Sequence, residues 1–300
     1  MTERIWAGIE GGGTKFVCLL GVGPDDVLAV GSFPTTTPEE TLGAVTRFIT
    51  THLDGRALVA AGAACFGPID LDVRSPGYGS ITNTPKAGWS NVNVVGILRE
   101  RLGVPVRWET DVNGAALAEQ RWGAARGLRS AVYFTVGTGI GGGAVIDGRP
   151  LHGLLHPEMG HLPVVVTPDA AGAGVCPFHG GACLEGVASG PAIQARAGRP
   201  AERIPPEDPI WEEEARYLAF AAATVTYTLS PQRIIFGGGV LKQDHLLPRI
   251  RQQFQALVNG YVRSPTVTDA LEQYIAPPQL GDRAGALGAL ALALDPDLAE

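Results

Sequence analysis

Two histidines and two cysteines lie close together in the sequence, at spacings that suit a metal ion. His161, Cys176, His179 and Cys183 follow the pattern H-x14-C-x2-H-x3-C. Imidazole nitrogen and thiolate sulfur are ligands that zinc prefers, and four protein ligands close a tetrahedral site. The pattern therefore predicts a structural zinc ion without a catalytic role. The alternative is a chance grouping of four such residues.

Three carboxylates are candidates for contact with a substrate. Asp111 lies between a strand-like segment ending at Trp108 and the start of a helix, and open α/β sheets place their chemistry at such strand ends. A carboxylate there can accept the proton of a hydroxyl that attacks a phosphate. The alternative is that Asp111 is only a helix cap. Glu158 and Glu185 flank the His/Cys cluster and either reach a polar substrate or lie in solvent.

Two glycine-rich loops carry threonine hydroxyls and are suited to binding phosphate. They cover residues 10–14 and 137–143. Their backbone amides can approach phosphate oxygens closely, and Thr14, Lys15 and Thr138 add side-chain donors. Neither loop has the spacing of a P-loop, and the G-x-G-x-x-G of the second precedes a strand, which excludes a dinucleotide-binding turn. The alternative for each loop is ordinary turn chemistry.

The elements that must position these residues occur twice. Residues 5–20 predict two strands joined by the first glycine loop, and residues 131–146 repeat this design around the second. Helices are predicted from Pro38, where Thr37 supplies the cap, and over residues 113–126. Strands that alternate with helices in two similar halves predict an α/β protein with two lobes.

Composition limits the classes of function. The 300 residues carry a net charge of −7, which argues against a general basic surface for nucleic acid. The apolar stretch 284–294 is too short to cross a membrane and predicts a buried helix. The N-terminus lacks a signal-peptide pattern, and Cys18 and Cys65 fall in apolar runs typical of buried thiols. We expect a cytoplasmic protein that binds neither nucleic acid nor membrane.

Further motifs extend this pattern along nearly the whole chain. The informative segments are residues 9–18, 66–69, 81–89, 110–116, 137–141, 156–161, 176–179, 184–186, 189–192, 237–240 and 281–288. Together they resemble the ROK family of sugar kinases, and most closely its bacterial fructokinase branch, with which the chain shares Thr110-Asp111. In that branch one residue fewer separates the histidine and cysteine that match His179 and Cys183. The glycines at 180 and 181 are expected to absorb this insertion.

The resemblance implies an α/β fold of the two-lobed actin-like and sugar kinase type, related to ribonuclease H, with an active-site cleft between the lobes. The N-terminal lobe is expected to cover residues 1–111 and to be joined by the C-terminal helix at 283–300. The second lobe is expected to cover residues 112–282.

The resemblance also assigns roles to matching positions. Asp111 is implied as the catalytic base. The implied ATP-binding residues are Gly11, Gly12, Gly13, Thr14, Lys15, Gly137, Thr138, Gly139, Gly237, Gly238 and Gly239. The implied sugar-binding residues are Asn83, Asp111, Glu158, His161 and Glu185. The implied zinc ligands are His161, Cys176, His179 and Cys183.

The activity that the resemblance implies is an ATP-dependent hexose kinase, with fructose as the expected substrate and fructose 6-phosphate as the product. Mg²⁺ would accompany ATP, zinc would be structural, and a homodimer is the expected assembly. The alternatives are a kinase of mannose, glucose or an N-acetylated hexosamine, or a sugar-sensing regulator without catalysis. A regulator that binds DNA needs a helix-turn-helix before the first phosphate motif, which here begins within ten residues of Met1.

Overall fold

A computed structural model describes residues 3–166, 172, 174–295 and 297. The contacts between residues divide the chain into two compact units. The first contains residues 1–126, 148–156 and 282–300, and the second contains residues 127–147 and 157–281. Each unit is built around its own mixed β-sheet.

The sheet of the first unit has the strand order β3-β2-β1-β4-β7. The strands are β1 (Arg4–Gly11), β2 (Lys15–Gly23), β3 (Asp26–Pro34), β4 (Ala57–Cys65) and β7 (Val106–Thr110), and a small hairpin is formed by β5 (Ser80–Ile81) and β6 (Val92–Asn93). The first three strands are antiparallel, whereas β4 and β7 run parallel to β1 because helices connect them. This order places the carboxyl ends of β1, β4 and β7 at one edge of the sheet.

The described residues of the first unit form four α-helices. They are α1 (Pro38–Thr51), α2 (Val94–Leu102), α3 (Asp111–Trp122) and α10 (Ala284–Leu294). The predicted start of α1 is confirmed, since Thr37 accepts a hydrogen bond from the backbone of Glu40 at 3.3 Å. The predicted buried helix near the C-terminus is also confirmed, because α10 lies against β1, β4 and α3.

Glycines allow α10 to approach its neighbours backbone to backbone. A Cβ atom at Gly62 of β4 would lie 1.9 Å from the carbonyl oxygen of Ala289, and one at Gly288 would lie 2.0 Å from that of Gly114. Both distances are far inside van der Waals contact. The close approach fixes the start of α3, and therefore Asp111, relative to the central strands.

Two boundaries differ from the sequence predictions. Helix α3 begins at Asp111 and ends at Trp122, two and four residues before the predicted bounds, because Thr110 caps its start and the chain leaves the helix at Gly123. The compact units also differ from the predicted lobes, since α3 packs against α10 and stays with the first unit. Residues 148–156, which we call the strap, return to the first unit as well and contain β10 (Arg149–Pro150).

The second unit repeats the strand pattern of the first. Its sheet contains β8 (Ser130–Val136), β9 (Ile140–Ile146), β11 (Ile234–Gly237) and β12 (Ile275–Ala276). Strand β8 pairs antiparallel with β9 and parallel with β11, as β1 does with β2 and β4. The helices are α4 (Leu184–Ala188), α5 (Gly190–Ala197), α6 (Ile210–Leu229), α7 (Leu246–Val258), α8 (Pro265–Thr268) and α9 (Leu271–Tyr274). The repeated strand, glycine loop and strand predicted from sequence is therefore confirmed.

In the part of the chain that the structure describes, every helix is too short or too polar to cross a membrane.

Candidate active site and metal centre

Asp111 is the first residue of α3 and directly follows the end of β7. Its own carboxylate accepts a hydrogen bond from the amide of Val112 at 2.9 Å. The helix cap is instead Thr110, whose Oγ1 accepts from the amide of Asn113 at 3.2 Å. The alternative interpretation of Asp111 as the cap is therefore wrong. A half-buried carboxylate at a strand end needs another explanation.

A buried carboxylate lies just before this turn. Glu109 is 2% exposed, and its Oε1 accepts from the amide of Thr110 at 2.7 Å and from Asn113 Nδ2 at 3.1 Å. Its Oε2 accepts from His152 Nε2 at 2.6 Å. This hydrogen bond raises the pKa of His152 above its ordinary value, because Glu109 stabilises the imidazolium. Glu109 and His152 lie outside the motifs recognised in the sequence.

The first glycine loop joins β1 to β2 beside Asp111. A Cβ atom at Gly11 would lie 2.5 Å from Cys65 Sγ, so only glycine fits there. The amide of Gly12 donates to the carbonyl oxygen of Lys15 at 3.0 Å, which closes the turn. Gly13, Thr14 and Lys15 are exposed at its tip. The loop therefore presents backbone amides, a hydroxyl and an ammonium group to solvent, as a phosphate-binding loop requires.

Glu10, at the end of β1, is a further site residue that sequence reasoning left without a role. Burial, together with the negative charge of Asp111, raises the pKa of Glu10 to about 7. Lys15 opposes this shift and is too weak to cancel it. An acid that directly follows the apolar run of residues 5–9 was the signal that could have identified this residue. Burial therefore makes Glu10 hold a proton more readily than an ordinary glutamate does.

Glu10 makes the stability of the protein depend on pH. The folded state raises the pKa of Glu10 from its ordinary value of 4.5 to about 7, so ionisation opposes folding and stability is lost as the pH rises between these values. Above pH 7 the loss amounts to about 3 kcal/mol. We expect Glu10→Gln to be more stable than the wild type at pH 8 by up to this amount, and nearly equal at pH 4.5.

Urea denaturation at both pH values measures this difference. Glu100→Gln, at an exposed position on α2, is the matched control and should change stability little at either pH. A stability gain for Glu10→Gln that is the same at pH 4.5 and pH 8 would contradict the explanation by ionisation.

The segment that carries Asn83 is anchored through Trp89. The indole of Trp89 is fully buried, stacks on Phe16 with ring centroids 5.2 Å apart, and donates from Nε1 to the carbonyl oxygen of Thr36 at 2.8 Å. Phe16 follows the first glycine loop on β2. The segment is therefore held against the strand that begins at this loop, and Asn83 itself is exposed.

The second glycine loop is in contact with Glu185. Oε2 of Glu185 accepts from the amide of Ile140 at 3.0 Å, and a Cβ atom at Gly139 would lie 2.7 Å from the same oxygen. The amide of Gly190 donates to the carbonyl oxygen of Gly137 at 2.8 Å, while Thr138 is exposed at the tip. The structure thus brings a predicted sugar ligand and a predicted phosphate loop together in the second unit.

The glycines at the end of β11 lie against the strand that leads into this loop. A Cβ atom at Gly237 would lie 2.4 Å from the hydroxyl of Tyr133, and one at Gly238 would lie 2.4 Å from the carbonyl oxygen of Val136. Gly238 also has a positive φ of 93°, which disfavours any side chain. Gly237, Gly238 and Gly239 therefore border the second glycine loop through the backbone of β8.

The predicted metal ligands come together as a cluster. The ligand atoms of His161, Cys176, His179 and Cys183 all lie within 4.8 Å of one another. His161 Nδ1 is 3.8 Å from Cys176 Sγ and 3.6 Å from Cys183 Sγ, and His179 Nδ1 is 3.6 Å from Cys176 Sγ. Tetrahedral zinc with its usual bond lengths places sulfur and nitrogen ligands about 3.6 Å apart. The donor types and their separations fit such an ion.

The extra residue before Cys183 is accommodated without disturbing the cluster. Gly180 adopts a positive φ of 55° and pairs with Cys176 as an isolated β-bridge, and the amide of Ala182 donates to the carbonyl oxygen of His179 at 3.0 Å. Glycine at the insertion therefore absorbs it, as predicted.

Glu158 precedes the short helical turn Met159–His161. Burial raises the pKa of Glu158 above its ordinary value, and the charge of Glu185 contributes in the same direction. Glu158 itself is exposed, so the alternative of a solvated surface acid stays open for it. For Glu185 this alternative is wrong, because its carboxylate accepts a hydrogen bond from the second glycine loop.

These features define an α/β protein of the actin-like and sugar kinase class, with acidic and glycine-rich strand ends in each unit. The ROK family profile matches residues 6–296, and the chain belongs to the ROK family. The fructokinase of Zymomonas mobilis is 47% identical over 300 residues, which cover 97% of each chain.

Two solved structures resemble the chain along nearly its whole length. A ROK hexokinase from Thermus thermophilus has a TM-score of 0.78 and 28% identity, and covers 96% of this chain and 97% of its own. A ROK family glucokinase from Streptomyces griseus, solved with glucose and AMPPNP, has a TM-score of 0.77 and 26% identity, and covers 96% and 99%. The predicted family and fold class are confirmed.

Proposed function

We propose that this chain is an ATP-dependent fructokinase that produces fructose 6-phosphate. The observation that carries the proposal is the placement of Asp111 at the end of β7, where Thr110 has taken over the capping role. The 47% identity to a fructokinase supports fructose as the substrate. The glucokinase complex supports a hexose and an ATP analogue as the general classes of ligand.

In the proposed reaction Asp111 is the general base. It orients the 6-hydroxyl of the sugar and accepts its proton as the hydroxyl oxygen forms a bond to the terminal phosphorus of MgATP. The bond between that phosphorus and the bridging oxygen breaks, and ADP leaves with the electron pair. The raised pKa of Glu10 favours a proton on that neighbouring group near neutral pH, which reduces its repulsion of the charge on Asp111.

The ATP-binding groups proposed are those of the glycine loops. Backbone amides and exposed side chains at the loop tips would stabilise charge on the phosphates. The residues proposed for this role are Gly11, Gly12, Gly13, Thr14, Lys15, Gly137, Thr138 and Gly139. The residues proposed to lie against adenosine are Gly237, Gly238 and Gly239. Gly11 packs closely against the side chains of Cys65 and Phe16, and Gly238 packs against the backbone of Val136. This packing supports the assignment, because it fixes the loops before a ligand binds.

The sugar-binding groups proposed are Asn83, Asp111, Glu158, His161 and Glu185. His161 would serve two roles with two different nitrogens. Its Nδ1 faces the cysteine sulfurs, so this nitrogen would bind the metal and Nε2 would bind the sugar. A metal bond on Nδ1 would also fix the ring orientation. Zinc is proposed as the ion, held by His161, Cys176, His179 and Cys183, with a structural role only. From the resemblance alone, we propose a cytoplasmic homodimer.

A coupled assay of ADP release over a panel of hexoses tests the function. Purified protein with MgATP should show its highest kcat/KM for fructose, compared with glucose, mannose and N-acetylated hexosamines. A higher kcat/KM for another hexose would support the kinase activity but overturn fructose as the substrate. ATP hydrolysis that no hexose stimulates would overturn the proposed function.

A further inference from the structure

We propose that His152 is a positioning residue for phosphoryl transfer, which acts through the buried carboxylate of Glu109 on the turn that carries Asp111. This inference rests on the proposed function, because Asp111 is the group to be positioned. His152 lies in the strap, 41 positions after Asp111 in the sequence, and only the folding of the strap onto the first unit brings it to this turn.

Glu109 organises the turn between β7 and α3. One of its oxygens accepts from the amide of Thr110 and from the side-chain amide of Asn113, at 2.7 and 3.1 Å. Those two residues also form the cap of α3, since Thr110 Oγ1 accepts from the amide of Asn113. Asp111 lies between them. The position of its backbone therefore depends on where the Glu109 carboxylate is held.

His152 holds the other oxygen of Glu109. Its Nε2 donates to Oε2 at 2.6 Å, the distance of a charge-assisted hydrogen bond. A carboxylate that is 2% exposed is strongly destabilised unless it has such a partner. Without the imidazole, the Glu109 carboxylate would lose this partner and turn toward solvent. That change would alter the hydrogen bonds that Glu109 makes to Thr110 and Asn113.

Hydrogen bonds on both sides of His152 attach the strap to other elements of the first unit. The carbonyl oxygen of Leu151 accepts from Asn113 Nδ2 at 3.5 Å, and His156 Nε2 accepts from the amide of Ile69 at 3.1 Å. His156 is buried. These contacts limit the movement of His152, so its hydrogen bond can hold Glu109 in place.

Other charged groups near His152 are bonded elsewhere. A groove of about 340 Å³ between residues 69–74 and the strap is lined by His152, His156, Asp70, Asp72 and Arg74. Arg74 pairs with Asp72 at 3.0 Å, and Asp70 accepts a hydrogen bond from Ser75. Among the residues that the structure describes, Glu109 is the acidic group that hydrogen-bonds to the His152 ring.

The test is a double-mutant cycle in ATP-dependent fructose phosphorylation. We expect His152→Ala to lower kcat by about 10- to 100-fold with little change in the KM for ATP, because a small displacement of a reacting group reduces rates by such factors. His152→Gln retains an N–H donor and should restore most of the activity. Leu154→Ala, at a fully exposed position of the same strap, is the matched control and should behave as the wild type.

The second arm of the cycle places His152→Ala in the D111N background. If His152 acts through Asp111, the loss should shrink to about 2-fold or less there, because groups that act as a unit are not additive. An equal loss in both backgrounds, or a loss that Leu154→Ala reproduces, would show a general structural role and overturn the proposal. Unchanged activity of His152→Ala in an active enzyme would overturn this inference alone. A wild type that phosphorylates no hexose would overturn the proposed function and this inference with it.

Discussion

Asp111→Asn should lower kcat by ~10²–10⁴ and leave the fold intact. An amide cannot accept the proton of the attacking hydroxyl, and this range is typical for the loss of a general base. The helix should persist because its cap is Thr110 and an asparagine oxygen can still accept from the amide of Val112. Steady-state kinetics with fructose and MgATP, together with thermal unfolding, measure both parts of the prediction.

A second consequence of this substitution concerns Glu10. The negative charge of Asp111 helps to raise the pKa of Glu10, so removing that charge should lower this pKa toward its ordinary value. Asp54→Asn is the matched control, because Asp54 is exposed and adopts a positive φ of 48° that asparagine tolerates. It should retain wild-type turnover. Near-wild-type turnover of Asp111→Asn would sink the assignment of the general base.

The parts of the fold that sequence could predict are those with local signals. Apolar strands on either side of a glycine loop recur at residues 5–20 and 131–146, and each pair forms a β-hairpin of the predicted type. The capping residues Thr37 and Pro38 marked the start of α1 correctly. Donor type and spacing were enough to identify the four metal-ligand candidates that the structure brings together. Such signals depend on residues that are near one another in the chain.

The parts that sequence could not predict depend on distant contacts. Glu109 and His152 are 43 residues apart and carry no shared motif, so their hydrogen bond follows only from the return of the strap. The start of α3 was placed too late because either Thr110 or Asp111 could cap it, and the choice depends on the packing of Glu109 beneath the turn. Glu10 stood in a recognised motif, but its raised pKa arises from burial in the folded chain.

The metal centre has the second large expected effect. Protein purified without added metal should contain one zinc per chain by elemental analysis, held by His161, Cys176, His179 and Cys183. Cys183→Ser should lose the zinc and lower the melting temperature by about 5 °C or more, because a closed site contributes its binding energy only to the folded state. Chelation of the wild type should have the same effect. Burial raises the pKa of the Cys183 thiol to about 11, so a metal-free chain keeps this thiol protonated at neutral pH.

Loss of the metal should also lower the activity, although no step of the reaction takes place at the metal. His161 is one of the ligands and Cys183 directly precedes α4, the helix that carries Glu185, so loss of the ion would release two proposed sugar ligands together. The loss should therefore raise the KM for the sugar more than the KM for ATP, and excess Mg²⁺ should not reverse it, because a hard cation does not favour thiolate ligands. Cys18→Ser is the matched control, since this thiol is buried in the first unit. It should retain zinc even if it is less stable. Fully active protein with less than about a tenth of an equivalent of zinc would show that the four side chains meet without a metal.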